Sequence, residues 1–303
     1  MRIKEFEIKN LYGKYSLKSQ LDEKVNIIVG NNGTFKSTLL GFIRFLASGG
    51  VEPTLTYESV AISLKDGITV ISSPTTTHSK NSDEKARVSL TLSSREVAKN
   101  GKELPLEEFA MYLKLDFIST FDIKDKDVNT QQTLLDKRLV QLQSDYGYYL
   151  NGLLKKFTEN LNVHGTVTKE DYNKIYARKF LFENLVNEAF KETGKVLDND
   201  SDKLRFIIDE MTAIDADKLS SGEKQLLIIL LTVLLEDGQE YVLMMDEPEI
   251  SMHISWQYKL IDMILQLNPN VQIILTTHSP MIFSDGWGDK AIYMENITTN
   301  TRK

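Results

Sequence analysis

The chain has 303 residues, 41% of them hydrophobic and 26% charged, with a formal net charge of −7 and no cysteine. These figures exclude disulfides and thiolate metal sites, and no apolar run reaches the roughly 18 residues of a membrane span. The acidic balance speaks against a surface that coats nucleic acid broadly, so DNA contact stays open only through a local patch.

In MRIKEFEIKNL apolar and charged residues alternate, which predicts a strand with Phe6 and Ile8 on one face and leaves no signal-peptide core. Residues 25–29 are apolar except for Asn26, the pattern of a strand buried on both faces. The stretch GNNGTFKSTLL (30–40) follows, and 37–46 predicts a helix. From 54 to 92 the pattern is β-like, with a turn at Lys65-Asp66-Gly67, and LDFISTF at 115–121 predicts another strand. Between 131 and 193 the chain turns helical, with Leu135, Leu139, Leu142, Tyr146, Tyr149, Leu153 and Phe157 at steps of three and four. Val163-His164-Gly165 ends that helix, and Thr168 with Asp171 opens a second through a variant capping box. After a turn at 198–202, an α/β pattern returns: a helix over 221–235, a strand over 241–245, a helix over 255–267 and a strand over 271–276. AIYMEN predicts a last strand, so a nucleotide-binding α/β fold is split by a mostly helical insertion.

Four stretches carry chemistry. The loop 30–37 fits the phosphate-binding spacing G-x-x-x-x-G-K-[ST], except that Phe35 holds the second glycine position. Its exposed N–H groups and the helix N-terminus behind it offer partial positive charge, so Asn31, Asn32, Gly33, Thr34, Phe35, Lys36, Ser37 and Thr38 form the expected cradle. Lys36 would reach the β- and γ-phosphates, and Ser37 would give its hydroxyl to a magnesium ion. YVLMMDEPE (241–249) is a buried strand ending in two carboxylates, Asp246 for the metal and Glu247 for orienting or deprotonating water. In LSSGEKQ (219–225), Ser220, Ser221 and Gly222 open a long apolar helix as an anion site or as an ordinary serine cap. ILTTHSP (274–280) ends a strand in His278, within reach of a γ-phosphate or the attacking water.

In this order the four stretches resemble the ATP-binding-cassette class of ATPases. DEPE followed by His253, together with THSP, is similar to the soluble RecF/SMC-type repair ATPases and the overcoming-lysogenization-defect group. IKNLYGKYS before VNIIVGNNG is similar to the ATPases of antiphage systems such as PARIS and Septu. The resemblance covers about 1–45 and 215–296, and it implies a P-loop NTPase fold of ABC type, a mixed sheet with a β-rich N-terminal lobe. Residues 1–80 and 211–303 would be the two parts of the ATPase domain, with 81–210 a mostly helical insertion that includes a core strand near 115–121. It further implies ATP and Mg2+ as ligands, Ser37 and Asp246 at the metal, Glu247 as catalytic base and His278 as switch histidine. Gln131 or Gln132 would add a metal contact. A homo-oligomer is implied, two heads sandwiching two nucleotides with Ser220 and Gly222 of one facing the phosphate loop of the other. Glu249 and His253 fall where the family places its intersubunit loop, in a structural or a catalytic role.

The expected function is a slowly hydrolysing, cytoplasmic ATPase that works as a nucleotide-switched sensor or scaffold for a separate effector, a nuclease, in antiphage defence. Few residues follow His278, so the nuclease is expected on another polypeptide. The alternative is a DNA-repair or chromosome-associated ATPase that clamps DNA; the acidic balance and the short helical seam weigh against it. A transporter's energy subunit is disfavoured by LSSGE in place of LSGGQ, by DEPE with His253 and by the insertion. The helical stretch 131–193, with Tyr146, Tyr148, Tyr149 and Tyr172, is expected to be a partner- or trigger-binding surface, or else a lid on the ATPase core. Should position 35 need a left-handed backbone, Phe35 would cost about 1–2 kcal/mol.

Overall fold

The computed structural model describes residues 1–49, 51–78, 89–119, 133–166, 168–199, 201, 203–209 and 212–300. The chain opens with strands β1 (Ile3–Leu11), β2 (Tyr15–Gln20) and β3 (Val25–Val29), then helix α1 (Lys36–Ser48). Strands β4 (Ser59–Leu64), β5 (Ile68–His78), β6 (Ser89–Lys99) and β7 (Lys102–Glu103) lead through the short α2 (Leu106–Phe109) to β8 (Leu115–Ser119). Two long helices follow, α3 (Leu134–His164) and α4 (Lys169–Phe190), then β9 (Val196–Leu197), β10 (Arg205–Asp209) and β11 (Thr212–Asp215). The rest is α5 (Ser221–Leu235), β12 (Val242–Asp246), α6 (Ile254–Leu267), β13 (Gln272–Thr277), β14 (Ala291–Tyr293), α7 (Met294–Ile297) and β15 (Thr298–Asn300).

These elements stack in layers. A parallel sheet has the order β14-β3-β13-β12-β8, and an antiparallel sheet the order β15-β2-β1-β4-β5-β6-β7. Alternation along the parallel strands decides what lies on each side. Ile28, Val242, Met244 and Ile274 point toward α1 and pack with Leu39, Phe42 and Ile43, which also meet Phe6, Ile8, Val60 and Ile62 of the antiparallel sheet. Ile27, Leu243, Met245, Ile273 and Leu275 point the other way, toward α3, α4, α5 and α6. Helix α5 lies inside that second layer, buried from Gln225 to Leu234, which is why it is apolar on every face.

The helical hairpin forms as the seam predicts. Leu135, Leu139, Leu142, Tyr146 and Leu153 are buried, and α3 packs on α5. Gly165 ends α3 in the left-handed conformation, and Thr168 with Asp171 closes a full capping box on α4. The tyrosines do not form one surface: Tyr146 is core, whereas Tyr148 is 74% and Tyr172 41% exposed. Within 81–210, β6 joins the antiparallel sheet and β8 is the edge strand of the parallel one. The three-stranded sheet β11-β10-β9 had no clear sequence signal, because its strands are short and place few side chains in the core. AIYMEN is a strand only to Tyr293; Met294 is buried at the start of a helical turn.

Asp116 on β8 sits beside Glu236 at the end of α5. Burial, reinforced by the Glu236 charge and opposed by Arg138 and Lys114, pushes the Asp116 carboxyl up to about 6. The folded chain thus holds a proton that the unfolded chain releases near pH 4, and stability falls as pH rises from about 4 to about 6. Asp116→Asn is expected to flatten that slope and to be more stable than the parent at pH 7.5, by on the order of 2 kcal/mol. Thermal melts from pH 4 to pH 8 check this; an unchanged slope in the variant overturns the assignment.

Candidate functional site

Strand register brings the candidate residues to the carboxyl ends of the parallel sheet, where α/β proteins hold ligands. Asp246 aligns with Thr276, and Thr277 with Val29, the residue before the glycine loop. Three chain segments distant in sequence therefore end side by side.

The loop turns back on itself: Asn31 O accepts from Thr34 N–H at 3.3 Å and from Thr34 Oγ1 at 2.7 Å. Gly33 has φ +79°, and a Cβ there would meet no atom within 4 Å, so the turn offers an open cradle of backbone N–H groups. Phe35 also lies in the left-handed region, at φ 70°, as the residue before α1. Its ring packs on Tyr15 at 5.2 Å and on Tyr12 at 5.9 Å between centroids. Two such contacts, each about 0.5–1.5 kcal/mol beyond burial, offset a backbone cost of about 1–2 kcal/mol. Phe35→Ala keeps the strain and loses the rings, whereas Phe35→Gly loses both. We therefore expect both variants to be less stable than the parent, the glycine one by about 0.5–1 kcal/mol less than the alanine one. Urea unfolding midpoints report the order; alanine equal to or above glycine would remove the strain argument.

Lys36 is buried, and its Nζ donates to Gly30 O at 3.0 Å and Asn31 O at 3.2 Å, and lies 2.5 Å from His278 Nε2. Burial pushes its ammonium below the ordinary value, against the opposing pull of Glu247, Asp246 and Glu249. Ser37 Oγ donates to Asp246 Oδ1 at 3.0 Å, and Thr276 Oγ1 donates to the same oxygen at 2.5 Å. Glu247 takes a φ of 51°, with its N–H on Thr276 O at 3.0 Å. Its Oε1 lies 3.0 Å from His278 Nε2. That nitrogen either accepts from Lys36 or, when protonated, donates to Glu247, so it can exchange partners but not serve both as one tautomer. Glu249 Oε1 accepts from Thr277 Oγ1 at 2.7 Å, His278 N–H at 2.8 Å and Ser279 N–H at 3.2 Å.

LSSGE forms its own set of hydrogen bonds. Ser220 caps α5 in a capping box with Glu223, Oγ donating to Glu223 Oε2 at 2.8 Å, and Ser221 is exposed at the first helical position. Burial pushes the Glu223 carboxyl up, but hydrogen bonds from Lys195, at 2.7 Å, and from the Ser220 N–H outweigh it and hold the group below the usual carboxylate range. Lys224 pairs with Asp136 of α3 at 2.7 Å. At Gly222 a Cβ would overlap the carbonyl oxygen of Ser251, which itself has φ 65°. His253 caps α6 through Ser255 N–H and lies 3.8 Å from Glu192. Asn32 and Thr38 belong to the loop and the first turn of α1, and Gln131 and Gln132 lie outside the described residues.

Sequence reasoning missed Thr276, which ties Asp246 to β13, and the pairs Lys195–Glu223 and Lys224–Asp136. TTHSP held the first of these in plain view, two residues before His278. The residues fit a magnesium ion carried in with a triphosphate. Ser37 and Asp246 supply hard oxygens, and among the described residues no cluster of three or more His, Cys, Asp or Glu could cage a metal. Magnesium is suited to such a site, since it keeps waters and substrate phosphates among its ligands.

Comparison with known proteins bears on the family and the fold. The chain is 27% identical over 317 residues to Septu protein PtuA of Bacillus thuringiensis, covering 92% of this chain and 72% of that protein. It is 26% identical over 136 residues to the Retron Vc95 probable ATPase of Vibrio cholerae, covering 38% of this chain and 26% of that one. Among solved structures, the SmcHead bound to the C-winged helix domain of ScpA superposes with a TM-score of 0.55 at 14% identity, over 94% of this chain and 92% of the other. The SMC head domain from Thermotoga maritima does so with a TM-score of 0.51 at 14% identity over the same shares. The fold is thus that of SMC-type, ABC-like ATPase heads. Residues 25–284 match the family "AAA domain, putative AbiEii toxin, Type IV TA system", and the chain belongs to that ATPase family.

Proposed function

We propose that this protein is an ATP-hydrolysing switch that controls a separate effector, a nuclease, in cytoplasmic antiphage defence. The observation that carries the reading is the convergence of Lys36, Ser37, Asp246, Glu247 and His278 in one hydrogen-bonded group at the carboxyl edge of the parallel sheet. The likeness to Septu protein PtuA and the retron ATPase supports the defence context.

In this reading the N–H groups from Asn31 to Thr38 receive the phosphates, and Lys36 exchanges its loop carbonyls for phosphate oxygens. Ser37 and Asp246 would hold magnesium, which when bound neutralises charge on the phosphates. Glu247 accepts the proton of the attacking water, and His278, beside both Glu247 and Lys36, orients that water or the terminal phosphate. Ser220, Ser221 and Gly222 complete the site of a second copy in a head-to-head homo-oligomer. Ser221 is suited to that contact, because its neighbour Ser220 already caps the helix. Residues 1–80 and 211–303 act as the ATPase body together with β6 and β8. The outer part of the hairpin, with Tyr148 and Tyr172 exposed, receives the partner or trigger.

Purification of the tagged chain from cells carrying its neighbouring genes, followed by phosphate-release assays, tests the proposal. A stoichiometric second protein and slow Mg-ATP turnover are expected. Rapid turnover by the isolated chain would remove the switch, and hydrolysis stimulated by DNA with no copurifying protein would favour the DNA-clamping alternative.

A further inference from the structure

We infer that Glu249 is the positioning residue for His278, a role that rests on the ATPase reading above. One carboxylate oxygen collects three donors from the turn after β13: the Thr277 hydroxyl and the backbone N–H groups of His278 and Ser279. Gathering neighbouring N–H groups on a single anionic oxygen fixes that turn, because each bond is charge-assisted. Ser279 adds a second tie, its Oγ donating to Gln257 Oε1 at 2.7 Å. With its backbone so held, the His278 ring reaches Glu247 Oε1 at 3.0 Å and Lys36 Nζ at 2.5 Å.

The connection is short. Glu247 and Glu249 sit on one turn, closed by Ile250 N–H on Glu247 O at 3.2 Å and Met252 N–H on Glu249 O at 2.9 Å. One acid of DEPE thus faces the chemistry while another holds the histidine that meets it. Glu249 also adds to the negative field on Lys36, so its charge is felt where the phosphates would lie. Among the described residues its second oxygen is buried without a hydrogen-bond partner, an arrangement that costs stability.

The test uses the full chain with Glu249→Ala, Glu249→Gln, His278→Ala and the Glu249→Ala/His278→Ala double variant. The first readout needs no nucleotide. The sequence has four histidines, and the imidazole resonance of His278 is assigned by its loss in His278→Ala. Glu249→Ala is expected to shift or broaden that resonance and to leave His253 unmoved. Glu249→Gln, whose amide oxygen still accepts, stays close to the parent. The second readout is phosphate release: Glu249→Ala lowers kcat about tenfold with KM within about threefold, and costs nothing further in the His278→Ala background. An unmoved His278 resonance, or full additivity in the double variant, overturns the role. Should the parent show no turnover, the ATPase reading falls, and the resonance experiment alone judges the positioning of His278.

Discussion

Glu247→Gln is expected to lower ATP hydrolysis about a hundredfold or more while leaving nucleotide affinity within about threefold, since a positioned general base contributes about 10²–10⁴. The substitution is isosteric and leaves the strand end intact. Asp246 remains on Ser37 and Thr276, and the backbone N–H of residue 247 remains on Thr276. What disappears is the carboxylate 3.0 Å from His278, and with it the group able to take a proton from water. Removal of a negative charge near the phosphates does not weaken their binding by Coulomb's law. Phosphate release at saturating Mg-ATP and titration with a fluorescent ATP analogue read the two halves separately. A retained rate would place the base elsewhere, and a lost affinity would show that Glu247 shapes the cradle.

Lys36→Ala is the second large effect, and it falls on binding. Charged hydrogen bonds to phosphate contribute about 1.5–3 kcal/mol each, so losing the ammonium weakens ATP about a hundredfold. The field adds to the loss. Asp246, Glu247 and Glu249 all act on Lys36, and without it these carboxylates face the incoming phosphates with one cation fewer. Folding is expected to survive, because burial already disfavours the charged lysine at this position. An analogue titration beside a thermal melt distinguishes a binding defect from unfolding; parental affinity in Lys36→Ala would overturn the phosphate-loop assignment.

The sequence made the site legible wherever chemistry and local structure coincide. Lys36 and Ser37 follow a glycine turn and open a helix; Asp246 and Glu247 end a strand with five buried residues; both facts are short-range. The hairpin was legible for the same reason, since Leu135 to Leu153 repeat at helical spacing and Thr168 and Asp171 are three apart. What stayed hidden depends on pairing across long separations. Thr276 meets Asp246 only because β12 and β13 lie in register, and Lys224 meets Asp136 only because α3 folds onto α5. The left-handed backbone at Phe35 was foreseen as a condition, but not the Tyr12 and Tyr15 rings that stabilise it, because they come from the β1–β2 turn and the first residue of β2.

Gly222 lies so close to the Ser251 carbonyl that no side chain separates the tip of α5 from the turn after β12. Side chains can change rotamer and absorb a displacement, whereas a helix turn set directly against a carbonyl has no such cushion. The turn that carries Glu247 and Glu249 therefore lies directly against the tip of α5. A shift of that turn would find no side chain beside Gly222 to take it up. In the proposed head-to-head assembly, the placement of Ser220 and Ser221 would then depend on where the turn beside Glu247 lies.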